Sequence, residues 1–417
     1  MSAEPQVELE KDWQPRILAF VCRWCTYAGA DLAGTSRLKY PPQIRIVKLP
    51  CSGRIDPLFL LRGFEMGADG ILVSGCHPGD CHYISGNYYA RRRWVLFTEL
   101  LNLIGLDPGR QHFSWVSAAE GAKFVDVVKK VTDSVLELGP FPGFAPRRPE
   151  LAMAPLSSRR DPVPITSLPD GGPVREDLRD GKVRAVLGYR KGRRTGTLSP
   201  TWMTEAESVD DLLFATSRQP ALITHLVRRL REDPEGVYGI VAGPKEAEAI
   251  ALLLAESQIP QDRVRVYHQE AALPAEAADP LAACGAPGLD RPASERWDYW
   301  TAQFARCLRC NACRESCSLC SCVRCVQEKT RPRWIDSSAT PAGNWIWNVT
   351  RAFHLSGRCV GCGACEEACP VGIPLLALNR SMIAAAEKHF GPRGKEGDAI
   401  RSPLIRYETA DEAPFIL

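Results

Sequence analysis

The sequence predicts an α/β chain that ends in a mostly helical, cysteine-rich region. Three observations predict it. Apolar runs of strand length alternate with helical patterns over residues 16–138, the alternation resumes over 180–268, and 11 of the 17 cysteines lie between Cys307 and Cys369. The chain has 417 residues, more than one hydrophobic core usually serves, because single cores stop growing beyond roughly 250–300 residues.

Residues 16–22 (RILAFVC) are a continuous apolar run, as a strand buried on both faces requires. Residues 44–49, 70–74 and 111–116 read as three more strands. Helical patterns fill 56–66 and 87–103, and Ser117 with Glu120 makes a capping box for a last helix to Leu138. Residues 1–138 are therefore expected to form a small parallel-sheet domain, flavodoxin-like in class. Residues 139–165, with seven prolines from Pro140 to Pro164, read as an interdomain linker. Residues 166–292 read as a second α/β domain: strand 183–188, helix 221–232, strand 237–241, helix 245–256 and strand 264–268, then an Ala/Pro-rich stretch from 270. Residues 293–417 read as helical. Trp297, Trp300 and Phe304 share one face of a helix entering Cys307, a second helix over 345–355 stops at Gly357, a third covers 375–389, and the tail is expected to be ragged.

The formal net charge is +3. Phosphate binding leaves a strong basic excess, so nucleic acid is not an expected partner. Arg91-Arg92-Arg93 is the local exception and reads as a solvated helix face or a subunit contact. No stretch approaches the roughly 18 apolar residues of a membrane span. The start, Met1-Ser2-Ala3-Glu4, lacks the basic-then-apolar pattern of a signal peptide. A reducing cytoplasm is the expected compartment, where clustered cysteines hold metal more often than disulfides.

Cys359, Cys362, Cys365 and Cys369 form C-x-x-C-x-x-C-x-x-x-C followed by Pro370, and Cys307, Cys310, Cys313 and Cys317 repeat the spacing with Ser318 in place of proline. Such spacing lets three thiolates wrap one corner of a [4Fe–4S] cubane, while the fourth, on the following helix, reaches a second cubane. Zinc prefers paired C-x-x-C knuckles. Crossing then assigns Cys307, Cys310, Cys313 and Cys369 to one cluster, and Cys359, Cys362, Cys365 and Cys317 to the other. Cys320, Cys322 and Cys325 exceed the eight ligands that two cubanes need; they either hold part of a third cluster or are free thiols. Cys284 matches no motif and reads as a lone cysteine.

The N-terminal cysteines follow the strands. Cys22 ends the first, Cys51 follows the second and Cys76 follows the third, so all three lie on the carboxyl edge of a parallel sheet, where such folds bind ligands. Cys25 sits one helical turn after Cys22, and Cys81 closes the loop that Cys76 opens. Five thiols thus meet at one mouth, and four suffice for a [2Fe–2S] cluster. His77 and His82 flank these cysteines and are read as hydrogen-bonding or structural residues.

Two resemblances are carried by these motifs. The segments CRWCTYAGADLAGTSR, KLPCSGRIDPLFLLRGFEMGADGILVSGCHPGDCHYISGN and WVSAAEGAKF, within about residues 15–138, are similar to the delta, iron–sulfur subunit of methyl-viologen-reducing hydrogenases. This implies a [2Fe–2S] cluster held by four of the five N-terminal cysteines, electron delivery to the flavin subunit of heterodisulfide reductase, and membership of a complex of the electron-bifurcating kind. Residues 180–390, through CLRCNACRESCSLCSC, KTRPRWID and FHLSGRCVGCGACEEACPVGIPL, resemble the iron–sulfur beta subunits of formate dehydrogenases, deazaflavin-reducing hydrogenases and anaerobic sulfite reductases. That family carries a cysteine in a Lys-Gly-Cys-Asp-Ser-Arg turn and another after the next strand. Here those places read Ala242-Gly243-Pro244-Lys245 and Tyr267-His268-Gln269, so both cysteines that would support a third cubane are absent, and support for a flavin site weakens. The expected function is an electron-transfer subunit between a hydrogenase or formate dehydrogenase catalytic subunit and a heterodisulfide reductase-like flavin subunit. The alternative is a reductase subunit that binds FAD in the second α/β domain. No nucleophile–base constellation or phosphate-cradling loop is evident.

Overall fold

The structure, a computed structural model, describes residues 13–153, 165–167, 170–193, 197–215, 222–269, 279–392 and 402–417. The start of the chain, read for a signal peptide, lies outside the described residues, as do residues 154–164 of the linker and 270–278 of the Ala/Pro-rich stretch.

The N-terminal domain runs β1 (Ile17–Cys22), α1 (Thr26–Thr35), β2 (Ile44–Leu49), α2 (Pro57–Glu65), β3 (Gly70–Gly75), α3 (Gly86–Leu103), β4 (Gln111–Trp115) and α4 (Gly121–Leu138). Its four strands are all parallel, in the order β2-β1-β3-β4. β3 is buried at every position, which is why its sequence shows no alternation. Helices α1 and α4 cover one face through Ala30, Ala33, Phe124 and Val128. Helices α2 and α3 cover the other through Leu61, Phe64, Leu96 and Leu100.

Helix α1 has no clear signal in the sequence because it carries Gly29 and Gly34, each poor in a helix. Gly29 is there for a close approach: a Cβ would stand 2.7 Å from the Ser117 carbonyl oxygen. The capping box before α4 forms by half. The Ser117 amide donates to Glu120 Oε2 at 2.7 Å, but the helix begins after Glu120 and no side chain caps it.

The second domain is a mixed sheet. Its elements are β5 (Ile165–Ser167), α5 (Gly172–Arg179), β6 (Ala185–Lys191), β7 (Leu198–Met203), β8 (Leu213–Ala215), α6 (Leu222–Glu232), β9 (Tyr238–Ala242), α7 (Pro244–Ala255) and β10 (Val264–His268). Strand order is β10-β9-β6-β8-β5, with β7 antiparallel to β6. The sequence pattern reveals the parallel half and hides β5, β7, β8 and α5, which are short or half-exposed and carry weak periodicity.

The C-terminal region is helical: α8 (Ala293–Ala305), α9 (Ala312–Glu315), α10 (Pro341–Leu355), α11 (Ala364–Glu367) and α12 (Leu375–Phe390). It shares one apolar core with the N-terminal domain, in which Leu60, Trp94 and Phe97 meet Trp297, Trp300, Trp345 and Phe353. Phe97 meets Phe353 edge to face at 6.0 Å. Phe141 and Phe144, just after α4, stack into the same core against Phe64, Trp297 and Trp345. The second domain packs on the opposite side of the helical region, with Leu253 and Ile259 against Leu355, Cys359 and Val360.

Two expectations are corrected. Arg91 and Arg92 are buried within the chain, 3% and 1% exposed, and do not form a solvated face. Arg92 makes a two-pronged pair with Asp411, Nε to Oδ2 at 2.5 Å and Nη2 to Oδ1 at 2.8 Å. Arg91 donates to the Glu408 carbonyl, and Arg93 to the Gly53 carbonyl. The tail is therefore docked: residues 402–417 return to the first sheet, where the Leu417 amide donates to the Phe113 carbonyl at 3.1 Å and Phe415 meets Phe113 edge to face.

Burial alone would raise the Asp411 carboxyl; the Arg92 hydrogen bond, the Glu408 amide and the charges of Arg92 and Arg91 overcome it and leave the group below its usual range. Asp411→Ala strands a buried guanidinium, and removing one partner of such a pair costs on the order of 3–5 kcal/mol. Urea unfolding at neutral pH should show that loss. Because the folded value is depressed, the contribution is present above the usual carboxylate pKa of about 3.9 and disappears as pH falls through the folded value. The difference between wild type and variant should therefore shrink in acid.

Candidate iron–sulfur sites

The N-terminal site is built at the carboxyl edge of the parallel sheet. Cys22 is the last residue of β1, Cys25 precedes α1, Cys51 follows β2, and Cys76 and Cys81 bracket the loop after β3. The sulfurs of Cys22, Cys25 and Cys76 lie within 4.8 Å of one another. Cys25 approaches Cys76 at 2.7 Å, Cys22 lies 3.7 Å from Cys76, and Cys51 lies 3.6 Å from Cys81. The two groups stand in electrostatic contact, Cys22 with Cys51 and Cys25 with Cys81. All five predicted thiols thus come together.

Glycine makes the room. A Cβ on Gly86, the first residue of α3, would stand 2.3 Å from the Cys51 sulfur and 3.3 Å from that of Cys81; one on Gly53 would stand 2.6 Å from the Gly86 carbonyl oxygen. Beneath the mouth, Thr26 Oγ1 meets Ser74 Oγ at 3.0 Å, and Ser114 Oγ donates to Ser74 Oγ at 2.8 Å, so buried hydroxyls satisfy one another. The two histidines beside the thiols each have a side-chain partner. His77 Nε2 pairs with Glu120 Oε2 at 2.7 Å, and His82 stacks on Trp24 with ring centres 3.8 Å apart. The Ser117 amide and the His77 ring together hold the Glu120 carboxyl down to about 2.

The two C-terminal motifs wrap alike. Arg309 and Asn311 take the left-handed conformation in the first motif, as Gly361 and Gly363 do at the matching places in the second, and a short helix follows each, α9 and α11. The motifs face each other, with Ser316 Oγ donating to the Ala364 carbonyl at 3.1 Å. Cys369 lies in electrostatic contact with Cys307 and Cys313. Cys317 lies with Cys359, Cys362 and Cys365. The fourth cysteine of the second motif therefore sits with Cys307 and Cys313 of the first, and the fourth of the first motif with the first three of the second. Cys310 is exposed.

Of the extra cysteines, Cys320 donates its amide to the Cys317 carbonyl at 3.2 Å and its sulfur lies in electrostatic contact with that of Cys317. Cys322 is exposed. Cys325 opens a short turn and donates its amide to Glu328 Oε2 at 2.9 Å. Cys284 stands apart, its thiol turned to the Leu281 carbonyl at 3.2 Å.

The charge state of these sulfurs tests their fit to metal. Contacts with Cys51 and then Cys76 pull Cys22 far below the usual thiol range, and the same contacts push Cys51 and Cys76 far up. Burial raises Cys313 to about 11 and Cys362 to about 12, while the Cys320 contact brings Cys317 to about 5. Without a cation, then, the N-terminal group and the group around Cys317 each favour one thiolate among neutral thiols. Iron supplies the missing charge and lets all the sulfurs ionise together. Backbone and side-chain amides already point at sulfur: Gly361 N–H at Cys359 (3.4 Å), Ile373 N–H at Cys369 (3.4 Å) and Asn379 Nδ2 at Cys365 (3.6 Å). The residues present fit iron–sulfur clusters.

Comparison with known proteins agrees. Residues 17–139 match the family described as methyl-viologen-reducing hydrogenase, delta subunit, and residues 303–373 match a 4Fe-4S dicluster domain. An iron–sulfur subunit of the F420-non-reducing hydrogenase of Methanococcus voltae is 46% identical over 132 residues, 32% of this chain and 92% of that protein. The chain belongs to the hydrogenase delta-subunit family. The corresponding iron–sulfur subunit from Archaeoglobus profundus is 45% identical over 133 residues, 32% of this chain and 97% of that protein. The delta-subunit domain is also similar to part of a larger polypeptide, one subunit of the ferredoxin/F(420)H(2)-dependent CoB-CoM heterodisulfide reductase of Methanosarcina acetivorans. There it is 46% identical over 126 residues, 30% of this chain and 16% of that protein. A delta-subunit domain joined to a dicluster domain makes this chain an iron–sulfur electron-transfer subunit. Among the described residues no helix is long and apolar enough to cross a membrane.

Sequence reasoning missed Gly86, Asn379 and the buried Arg351, which reaches the second cysteine set. The last had a signal, a lone cation inside the apolar helix Trp345-Ile346-Trp347-Asn348-Val349-Thr350-Arg351. Gly86→Ala should displace the Cys51 and Cys81 sulfurs and empty the N-terminal site alone. Iron per chain should fall by that site's share, with the C-terminal clusters' spectroscopic signal retained.

Proposed function

We propose that this chain relays electrons, in a cytoplasmic complex of the electron-bifurcating kind, between a hydrogenase or formate dehydrogenase catalytic subunit and a heterodisulfide reductase-like flavin subunit. Four of Cys22, Cys25, Cys51, Cys76 and Cys81 hold one [2Fe–2S] cluster. Cys307, Cys310, Cys313 and Cys369 hold one [4Fe–4S] cluster, and Cys359, Cys362, Cys365 and Cys317 hold the other. The observation that carries this reading is a sheet edge where Cys22, Cys25 and Cys76 lie within 4.8 Å of one another beside the Cys51–Cys81 pair, in a domain shared with hydrogenase iron–sulfur subunits and with a polypeptide of a heterodisulfide reductase.

Each bound cluster takes up and releases single electrons. The chain's own residues do the rest. Cysteines anchor the metal, amides donate to the sulfurs and so favour the more negative reduced state, and apolar walls keep water out. The aromatic core that joins the N-terminal domain to the helical region supports direct traffic between the two ends. Closed four-thiolate ligation leaves no open coordination position for substrate, so the relay depends on its partners for chemistry.

The purified, anaerobically loaded chain should contain about ten iron atoms, from one [2Fe–2S] and two [4Fe–4S] clusters. It should accept electrons from a strong reductant and oxidise neither hydrogen nor formate by itself. Iron near four would remove the N-terminal or one cubane assignment; flavin that co-purifies in stoichiometric amount, or turnover by the isolated chain, would move the function to the reductase reading. Cys317→Ala separately tests ligand crossing. It should damage the cluster of Cys359, Cys362 and Cys365 and spare that of Cys307, Cys310 and Cys313, as resolved by electron paramagnetic resonance.

A further inference from the structure

We propose that Arg351 is a potential-setting residue: its guanidinium, buried between the two cysteine sets and carrying no carboxylate partner, makes the adjacent cubanes easier to reduce, that of Cys365 and Cys317 above all. This rests on the two-cluster reading of the helical domain.

Arg351 lies near the end of α10, whose buried residues include Trp345, Ile346, Asn348, Val349, Thr350 and Phe353. Its side chain is 4% exposed. Nη2 donates to the Cys313 carbonyl at 3.0 Å. The Cys365, Cys317 and Cys320 sulfurs lie within electrostatic reach of the same guanidinium. Nε is buried with no protein partner. Cys313 belongs to one set, and Cys365 and Cys317 to the other, so one cation touches both.

A guanidinium taken out of water needs a counter-charge, and among the described residues no Asp or Glu makes an ion pair with this one. The negative groups around it are the sulfurs. When a cluster is reduced, one electron arrives, no bond in the cage breaks, and the cage becomes more negative by one charge. A fixed cation in a low-dielectric surround favours that state. Its Nη2 bond to the Cys313 carbonyl keeps the charge in place, so the effect needs no reorganisation when the electron arrives.

The test compares Arg351→Gln with Arg351→Lys in the full chain, loaded anaerobically, with iron content measured first and redox titration followed by electron paramagnetic resonance. Arg351→Gln should retain its iron. Its second cubane should become harder to reduce by at least about tenfold in the one-electron equilibrium, roughly 59 mV more negative. Arg351→Lys keeps the charge and should stay within about threefold of wild type. Fully loaded Arg351→Gln with both potentials unmoved overturns the proposal, as does Arg351→Lys shifted as far as Arg351→Gln. If Arg351→Gln fails to hold iron, Arg351→Lys decides: full iron at wild-type potentials supports the charge role, and missing iron reduces Arg351 to a packing residue. Failure of the two-cluster reading would show in the wild type itself, as absent [4Fe–4S] signals.

Discussion

Thiols buried beside one another are the constraint on which the rest of this structure depends. A single thiolate in a low-dielectric site is already unfavourable, and several together are prohibitive unless a cation joins them. The two regions meet that constraint with different devices. At the sheet edge, five sulfurs share hydrogen bonds with one another, and glycine at positions 53 and 86 clears the space they occupy. In the helical domain, left-handed residues wrap each motif, amides aim at sulfur, and Arg351 brings a permanent positive charge between the sets.

The same constraint explains why the helical domain is apolar elsewhere. Potentials of iron–sulfur clusters depend on solvent exposure and on hydrogen bonds to sulfur. Tryptophans 297, 300 and 345, all nearly inaccessible, exclude water from the neighbourhood of Cys307 and Cys313. That wall is continuous with α2 and α3 of the N-terminal domain, so the relay is one packed body across these two domains and not two modules on a loose tether. The docked tail adds to this. Asp411 pairs with Arg92 of α3, the helix whose first residue, Gly86, borders the thiol mouth, so the carboxyl-terminal segment braces the helix that shapes the site.

Much of the candidate site was legible because its signals are local. Cysteine spacing specifies how a loop can wrap a cubane, and the position of a cysteine just after a strand places it on the ligand-binding edge of a parallel sheet. Strands with continuous apolar runs were legible for a similar reason: burial on both faces leaves no alternation to misread. Features that depend on distant partners were not. Arg91 and Arg92 look like a solvated patch until Asp411 and Glu408, more than three hundred residues on, supply their counter-groups. Phe141 and Phe144 look like linker residues until α8 and α10 offer them a core. Strand β7 is half-exposed and owes its state to pairing with β6.

By itself the sequence determined the chemistry of this protein: which cysteines are available, how they are grouped, and that the first domain is a parallel α/β fold. Those properties follow from spacing and from periodicity, which are written in neighbouring residues. Tertiary structure alone decided which charged groups are buried and how the N-terminal and helical regions are joined. Each of these turns on contacts between residues far apart in the chain, and the buried guanidinium of Arg351 acquires its meaning only where two such groups of sulfur close around it.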